Sequence, residues 1–438
     1  MQLAKPSFRD FIKFWFKLGW ISFGGPAGQI AIMHEFLVDK KKWISDKKFL
    51  HALNYCMLLP GPEAQQLATY LGWLFYGTVG GLIAGIFFIL PSIFILLALS
   101  FIYVQFGQVP WITAMFEGLK PAVIAIVILA LIKIGKKSLT TYFHYTLAAI
   151  SFIAIFFLHI PFPLIIIGAV LLAISLQYIY PKLLQVGKSE NKKTDDESGY
   201  LLTTQTEIPH TGFKLSRLLL QISIFFILWC APLALFYGLS SDQGFWMQLS
   251  FFFTKAAFVT FGGAYAVLPY VAQVSVEKFK WLTQLQMVDG LALGETTPGP
   301  LIMVLAFVGF MAGYGNFNNS LIGGTLGLLV TTYYTFLPCF LFIFAGAPII
   351  EKTQNNPRIK SMLTIVTAVV VGVVLNLAVY FGEAVLFQGE FALSHLQYLN
   401  LSWVIISFVA MYRFKVPMIP WIGISAVFGL VCYFLGWA

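Results

Sequence analysis

Two short strings with the chemistry to hold an anion each occur twice in the chain. Phe23-Gly24-Gly25, followed by Pro26, recurs as Phe261-Gly262-Gly263, and Pro60-Gly61-Pro62 recurs as Pro298-Gly299-Pro300, at one shared offset of 238 positions. Glycine lets backbone approach a ligand closely. Proline suits a first helical turn, because the N–H it lacks would be unpaired there anyway. A helix that begins at such a string directs free N–H groups and the positive end of its dipole at whatever lies before it. Four such starts, two per copy, would form a cradle for a small oxyanion. Gly24, Gly25, Pro26, Pro60, Gly61, Pro62, Gly262, Gly263, Pro298, Gly299 and Pro300 are therefore the candidate substrate-binding backbone.

Few ionisable side chains lie near the strings. Lys17 and Lys255 occupy matching positions seven residues before their glycine pairs, about 10 Å along a helix. They could attract or gate an anion, or snorkel to the headgroups. Glu63 follows Pro62, and Glu295 stands three residues before Pro298. Carboxylates at membrane depth are costly and often relay protons, which makes both candidates for proton coupling; Glu63 could instead complement the dipole of its own helix. Asn54, Thr296 and Thr297, with Gln65, Gln66 and Thr69, could hydrogen-bond a substrate or join helices to one another. Asp289 reads equally as a solvated residue at a hairpin mouth, Lys120 as an interfacial anchor, and His34 and His51 as interfacial.

The elements that position these residues must be membrane helices. Of 438 residues 59% are hydrophobic and 10% charged, and the mean hydropathy is +0.84, too apolar for a soluble domain. Apolar stretches near the ~20 residues of a span recur from end to end. The net charge of +9 comes from lysines and arginines in short loops, the mark of membrane topology rather than of nucleic-acid binding. The basic N-terminus shows no cleavage site, so no removable signal peptide is expected. Cys56, Cys230, Cys339 and Cys432 are scattered and lack histidine partners. No nucleophile–base pair or metal-spaced set is legible, so an enzyme, a metal and a cofactor are not expected.

The 238-residue register holds without a gap from Phe14 to Pro62, through Lys17/Lys255, Val38/Val276 and Trp43/Trp281. Beyond it, Leu90-Pro91 and Leu337-Pro338 still correspond. The chain divides into a first repeat (1–180), a polar cytoplasmic linker (181–214), a linking transmembrane helix (215–239) and a second repeat (246–438). Lys133, Lys136 and Lys137, the linker lysines, and Lys352, Arg358, Lys360, Arg413 and Lys415 belong inside. The first segments of each repeat read either as two re-entrant hairpins or as broken full spans. The fold expected is thus an all-α membrane protein with about nine spans plus four hairpins, or about thirteen spans. Either way a repeat crosses an even number of times, so a single linking helix leaves the two repeats inverted.

Four strings carry a family resemblance: F-G-G-P-A-G-Q-I, L-N-Y-C-M-L-L-P-G-P-E-A-Q-Q-L-A-T-Y-L-G-W, T-F-G-G-A-Y-A-V-L-P-Y and G-E-T-T-P-G-P-L-I-M-V. Together they resemble the chromate transporter (CHR) family in its long, two-domain form, with Leu293-Gly294 departing from an expected Leu-Ala pair. The resemblance implies a transporter that exports chromate across the bacterial cytoplasmic membrane, driven by the proton motive force. Its partners would be chromate or a related oxyanion, protons and the bilayer, and a homodimer would be compatible with it. The residues alone reach an oxyanion transporter with inverted repeats, and sulfate transport or a passive anion channel of the same fold are the alternatives.

Overall fold

The computed structural model describes residues 5–179, 197, 199–206, 212, 214–240, 242–350, 357–387 and 392–437. The expected all-α fold is found: sixteen helices and, among the described residues, no strand. The front of the first repeat comprises α1 (Phe8–Ile21), α2 (Gly25–His34), α3 (Asp46–Cys56) and α4 (Glu63–Phe106). Behind it come α5 (Pro110–Ser138), α6 (Tyr142–Phe156) and α7 (Phe162–Ile179). The linking helix is α8 (Leu215–Leu239). The second repeat runs α9 (Gln243–Val259), α10 (Ala264–Gln273), α11 (Gln284–Thr296), α12 (Val304–Asn316), α13 (Leu321–Ile350), α14 (Pro357–Leu386), α15 (Tyr398–Tyr412) and α16 (Met418–Phe434).

The two halves repeat in detail. Both α2 and α10 continue into a π-helical turn, Glu35–Lys40 and Val274–Lys278. Both turns are followed by a lysine in left-handed backbone, Lys42 (φ 51°) and Lys280 (φ 54°). The next residue, Trp43 or Trp281, packs edge-on against a phenylalanine of the first helix, Phe14 at 5.3 Å or Phe252 at 5.6 Å.

Helix α4 is in fact two helices folded against each other. Tyr76 (φ −132°, ψ 26°) and Gly77 (φ 58°, ψ −149°) break it, a turn that glycine adopts at little cost. Gly72 then lies on Gly80, with no room for a side chain between them. In the second repeat Gly313 of α12 meets Gly323 of α13 in the same way. Glycine at these positions lets the helix backbones approach this closely. The arm Glu63–Tyr76 has 14 residues, ~21 Å of helix, and so stops inside a ~30 Å hydrocarbon layer.

Among the described residues, five helices are long and apolar enough to cross a bilayer: α4, α5, α8, α13 and α14. Helix α8 is mostly exposed: it packs through Trp229 on Phe251 and Tyr334, and its outer face is left for lipid. The core interleaves the repeats, since Ile343, Phe344 and Ala347 of α13 belong to the cluster formed by α1, α3 and α4.

Most of the polar linker lies outside the described residues. The described part is not simply solvated, because Leu201 and Leu202 donate backbone hydrogen bonds to the Lys42 and Trp43 carbonyls (3.1 and 3.0 Å). Leu202 accepts one from Ser45 (2.8 Å) and is buried, which ties the segment to the loop before α3.

Candidate anion site

The break after α1 begins at Ser22, whose hydroxyl donates back to the Leu18 carbonyl (2.6 Å). The break after α9 begins at Thr260, which donates to the Ala256 carbonyl, also at 2.6 Å. The glycines that follow take the positive φ their residue type permits: Gly24 90°, Gly25 69°, Gly262 83° and Gly263 93°. Helix α2 starts at once with Pro26 in its first turn, and α10 starts at Ala264. After the Pro-Gly-Pro strings, α4 starts at Glu63 behind Pro62, and a 3-10 turn, Leu301–Met303, leads from Pro300 into α12. Four helical starts thus lie at the four strings, each with unpaired N–H groups of the kind an anion accepts.

Each string docks on its opposite number in the other repeat. The Gly61 amide donates to the Thr260 carbonyl at 2.7 Å, and the Gly299 amide donates to the Ser22 carbonyl at 2.8 Å. Supporting side chains follow the same exchange. Ser92, just after Leu90-Pro91, donates from its hydroxyl to the Pro298 carbonyl. Cys339, just after Leu337-Pro338, presses its sulfur toward Gly61. Such reciprocity, in which i meets j and j meets i, is what a two-fold relation between the repeats produces.

One small pocket at these crossings is lined by Gly24, Gly25, Gly294, Glu295, Thr297, Gly299 and Leu301. Glu295 is buried, and its Oε1 accepts from the Tyr265 hydroxyl at 2.5 Å. At the other crossing Glu63 lies beside Gly263, with Oε1 3.7 Å from where a Cβ would stand. Each crossing therefore combines glycine backbone and helix N-termini with one carboxylate. An ionised carboxylate there would repel an anion, and a protonated one would not.

The candidates separate into two groups. Gly24, Gly25, Glu295, Thr297 and Gly299 converge on the pocket, with Pro26, Pro298 and Pro300 flanking it; Glu63, Gly61 and Gly263 form the counterpart beside Pro60, Pro62 and Gly262. Thr296 and Thr297 donate to the Leu293 and Gly294 carbonyls (2.7 and 2.8 Å), so their hydroxyl protons are held by the end of α11. Lys17, Lys255 and Asn54 are exposed, on α1, α9 and α3, and line neither crossing. Two further readings are corrected. Asp289 is buried, not solvated, and Lys120 is buried against Glu117 ten residues into α5, not an interfacial anchor.

Sequence reasoning missed Gln29, Ser92 and Tyr265. The Gln29 amide donates to the Gly299 carbonyl, while its Oε1 is buried without a hydrogen-bond partner. Its counterpart at the shared offset is Val267, so a search for repeated polar residues passes over it. The signal that was present is a glutamine one turn into a helix that starts at Gly25.

Residues 9–174 and 247–430 match the family described as chromate transporter, one match in each repeat. The chromate transport protein of Cupriavidus metallidurans is 29% identical over 97% of this chain and 93% of its own length. The probable chromate transport protein of Synechococcus elongatus is 28% identical over 86% of this chain and 85% of its own. The chromate transport protein of Pseudomonas aeruginosa is 31% identical over 84% of this chain and 78% of its own. No solved structure matches the chain.

Proposed function

The chain belongs to the chromate transporter family and is a multi-pass membrane protein, not an enzyme, and from that premise we propose that it is a secondary transporter exporting chromate. The observation that carries this reading is the reciprocal docking of Gly61 on Thr260 and Gly299 on Ser22. It sets helical starts of both repeats at two crossings, together a locus of the kind that inverted-repeat transporters use for substrate. A two-fold axis through that locus is compatible with either orientation, and the loop charges select inversion, because one linking helix joins two even-crossing repeats.

Export also follows from the electrical force. Moving two negative charges out across a 100 mV interior-negative potential releases about 4.6 kcal/mol. Carbonyl-capped glycine strings and amide groups bind charge and size rather than a particular central atom, so sulfate, a tetrahedral dianion of similar size, competes. Everted membrane vesicles containing the protein are expected to accumulate chromate when energised, to lose the accumulation with a protonophore, and to be inhibited by excess sulfate. Accumulation indifferent to the protonophore would contradict the coupling, and indifference to sulfate would contradict the backbone-cradle account.

A further inference from the structure

We infer that Asp289, Tyr103, Lys120 and Glu117 form a proton site, separate from the anion cradle, that carries the proton exchanged for the exported anion. The inference rests on the reading of the chain as an exporter. Asp289 stands in the middle of α11 and is 5% exposed. Its Oδ2 accepts from the Tyr103 hydroxyl of α4 at 2.9 Å, while its Oδ1 is buried with no hydrogen-bond partner. Phe116 and Phe307 pack edge-on against the Tyr103 ring (5.1 and 5.3 Å) and keep the phenol on the carboxylate.

Lys120 of α5 lies close enough to act on Asp289 electrostatically. Its ammonium is nevertheless held by Glu117 at 2.5 Å. Among the described residues, Tyr103, Lys120 and Glu117 are the titratable groups that act on Asp289; the 3-10 turn and helices α12, α14 and α16, which also pack on α11, contribute none.

The charges count in favour of a single proton. Two carboxylates and one ammonium leave the ionised cluster with one net negative charge, which one proton on the bare Oδ1 cancels. A pair kept only for stability would satisfy both carboxylate oxygens, since an uncompensated buried charge is strongly destabilising. Here the cation is given to Glu117, whose half-exposed side chain opens the cluster to the surface.

Separation from the cradle matters for direction. A proton on Glu63 or Glu295 lowers the repulsion on the anion, so proton and anion favour each other there and move together. Exchange in opposite directions needs a proton held where the anion is not. Asp289 precedes Glu295 by six residues on α11, about 9 Å along the axis and roughly 120° around it. Asp289 faces α4 and α5, whereas Glu295 faces Tyr265 of α10. Because α11 ends at Pro298-Gly299-Pro300, a change of charge at Asp289 acts on the helix that carries one wall of the cradle.

The test uses the purified full-length protein in liposomes loaded with radiolabelled chromate, with the membrane potential clamped. Two rates are read: chromate–chromate exchange at equal pH, and efflux with the outside acidified by one unit. Wild-type efflux should accelerate by up to about tenfold, the change in proton activity for one proton. Asp289→Asn should keep exchange within about twofold and lose the acceleration. A wild type that does not exchange chromate overturns the transporter reading itself. Exchange with an acceleration that Asp289→Asn retains, or with none in the wild type, overturns the proton site alone. If Asp289→Asn is not recovered folded, Asp289→Glu decides: a displaced pH profile supports the site, and an unchanged profile overturns it. The double variant Lys120→Gln with Asp289→Asn restores coupling if the cluster is only a structural ion pair, and that result also overturns the proposal.

Discussion

Gly299→Ala is expected to lower chromate transport by about 100-fold, the cost of misplacing a site by about 1 Å, while the chain still inserts and purifies as a folded protein. Two independent effects act at this position. Its φ of +96° is one that residues with a Cβ adopt only with strain, about 1–2 kcal/mol. An added Cβ would also lie 3.0 Å from the Phe88 carbonyl oxygen and against the Ser92 hydroxyl. Phe88 is backbone in a packed helix and cannot withdraw, so the Gly299 amide must lose its 2.8 Å bond to Ser22. The opposing string then moves off Gly24 and Gly25. Gly61→Ala should act similarly, because a Cβ there would meet the Gln66 amide at 2.7 Å and the Cys339 sulfur at 2.9 Å. Gly25→Ala offers the internal control. Nothing lies within 4 Å of its Cβ position, so only the strain of φ +69° remains and the expected loss is about tenfold. Initial rates in vesicles, normalised to the amount of folded protein, give the comparison. Equal losses at Gly25 and Gly299 would show that backbone strain, not the crossing, sets the activity.

Glu295→Gln is expected to tighten chromate binding relative to the wild type by about tenfold for each pH unit above the range in which the wild-type carboxylate ionises, and to remove its pH dependence. At roughly 5 Å and an effective dielectric of 20, one unit charge repels another by about 3 kcal/mol, and a dianion feels twice that. Glu295 lines the pocket with Gly24, Gly25 and Gly299, so its charge falls on the bound anion. Wild-type affinity should therefore rise as pH falls and the carboxylate gains a proton; glutamine keeps the shape and fixes the neutral state. Transport by the variant should slow, since an anion held this tightly leaves slowly. Titration of the detergent-solubilised protein with chromate between acid and neutral pH reads the effect directly. A variant whose affinity follows pH as the wild type does would place the Glu295 charge outside the anion's reach. Tyr265, which donates to Glu295 at 2.5 Å, is the group that holds the carboxylate in position.

How much of this was legible in the sequence depended on what the repeat preserved. Strings present in both halves, Phe-Gly-Gly and Pro-Gly-Pro, could be found by offset, and their glycines and prolines predict helical starts because few other residues adopt those dihedrals. The fold of α4 at Tyr76-Gly77 was visible as two apolar runs of unequal length. Residues that differ between the repeats were not legible. Gln29 faces Val267 in the alignment of the halves and did not stand out, and Asp289, which faces His51, was read as solvated although it carries a buried polar atom. The exchange between repeats, Gly61 with Thr260 and Gly299 with Ser22, was likewise hidden. A repeat gives the same string twice but not which copy touches which. Lys17 and Lys255 show the opposite case: they repeat at matching positions, yet both are exposed and outside the crossings.

The proposed transport depends most on two repeats that face opposite sides of the membrane and meet at the anion site. Lys40 and Lys278 occupy equivalent, exposed positions at the ends of the two π-helical turns. Single cysteines introduced by Lys40→Cys and Lys278→Cys, in a background lacking the four native cysteines, can be labelled in intact cells with a membrane-impermeant maleimide. Inversion predicts that the second is labelled from outside and the first only after the membrane is opened. Labelling of both from the same side would contradict the account.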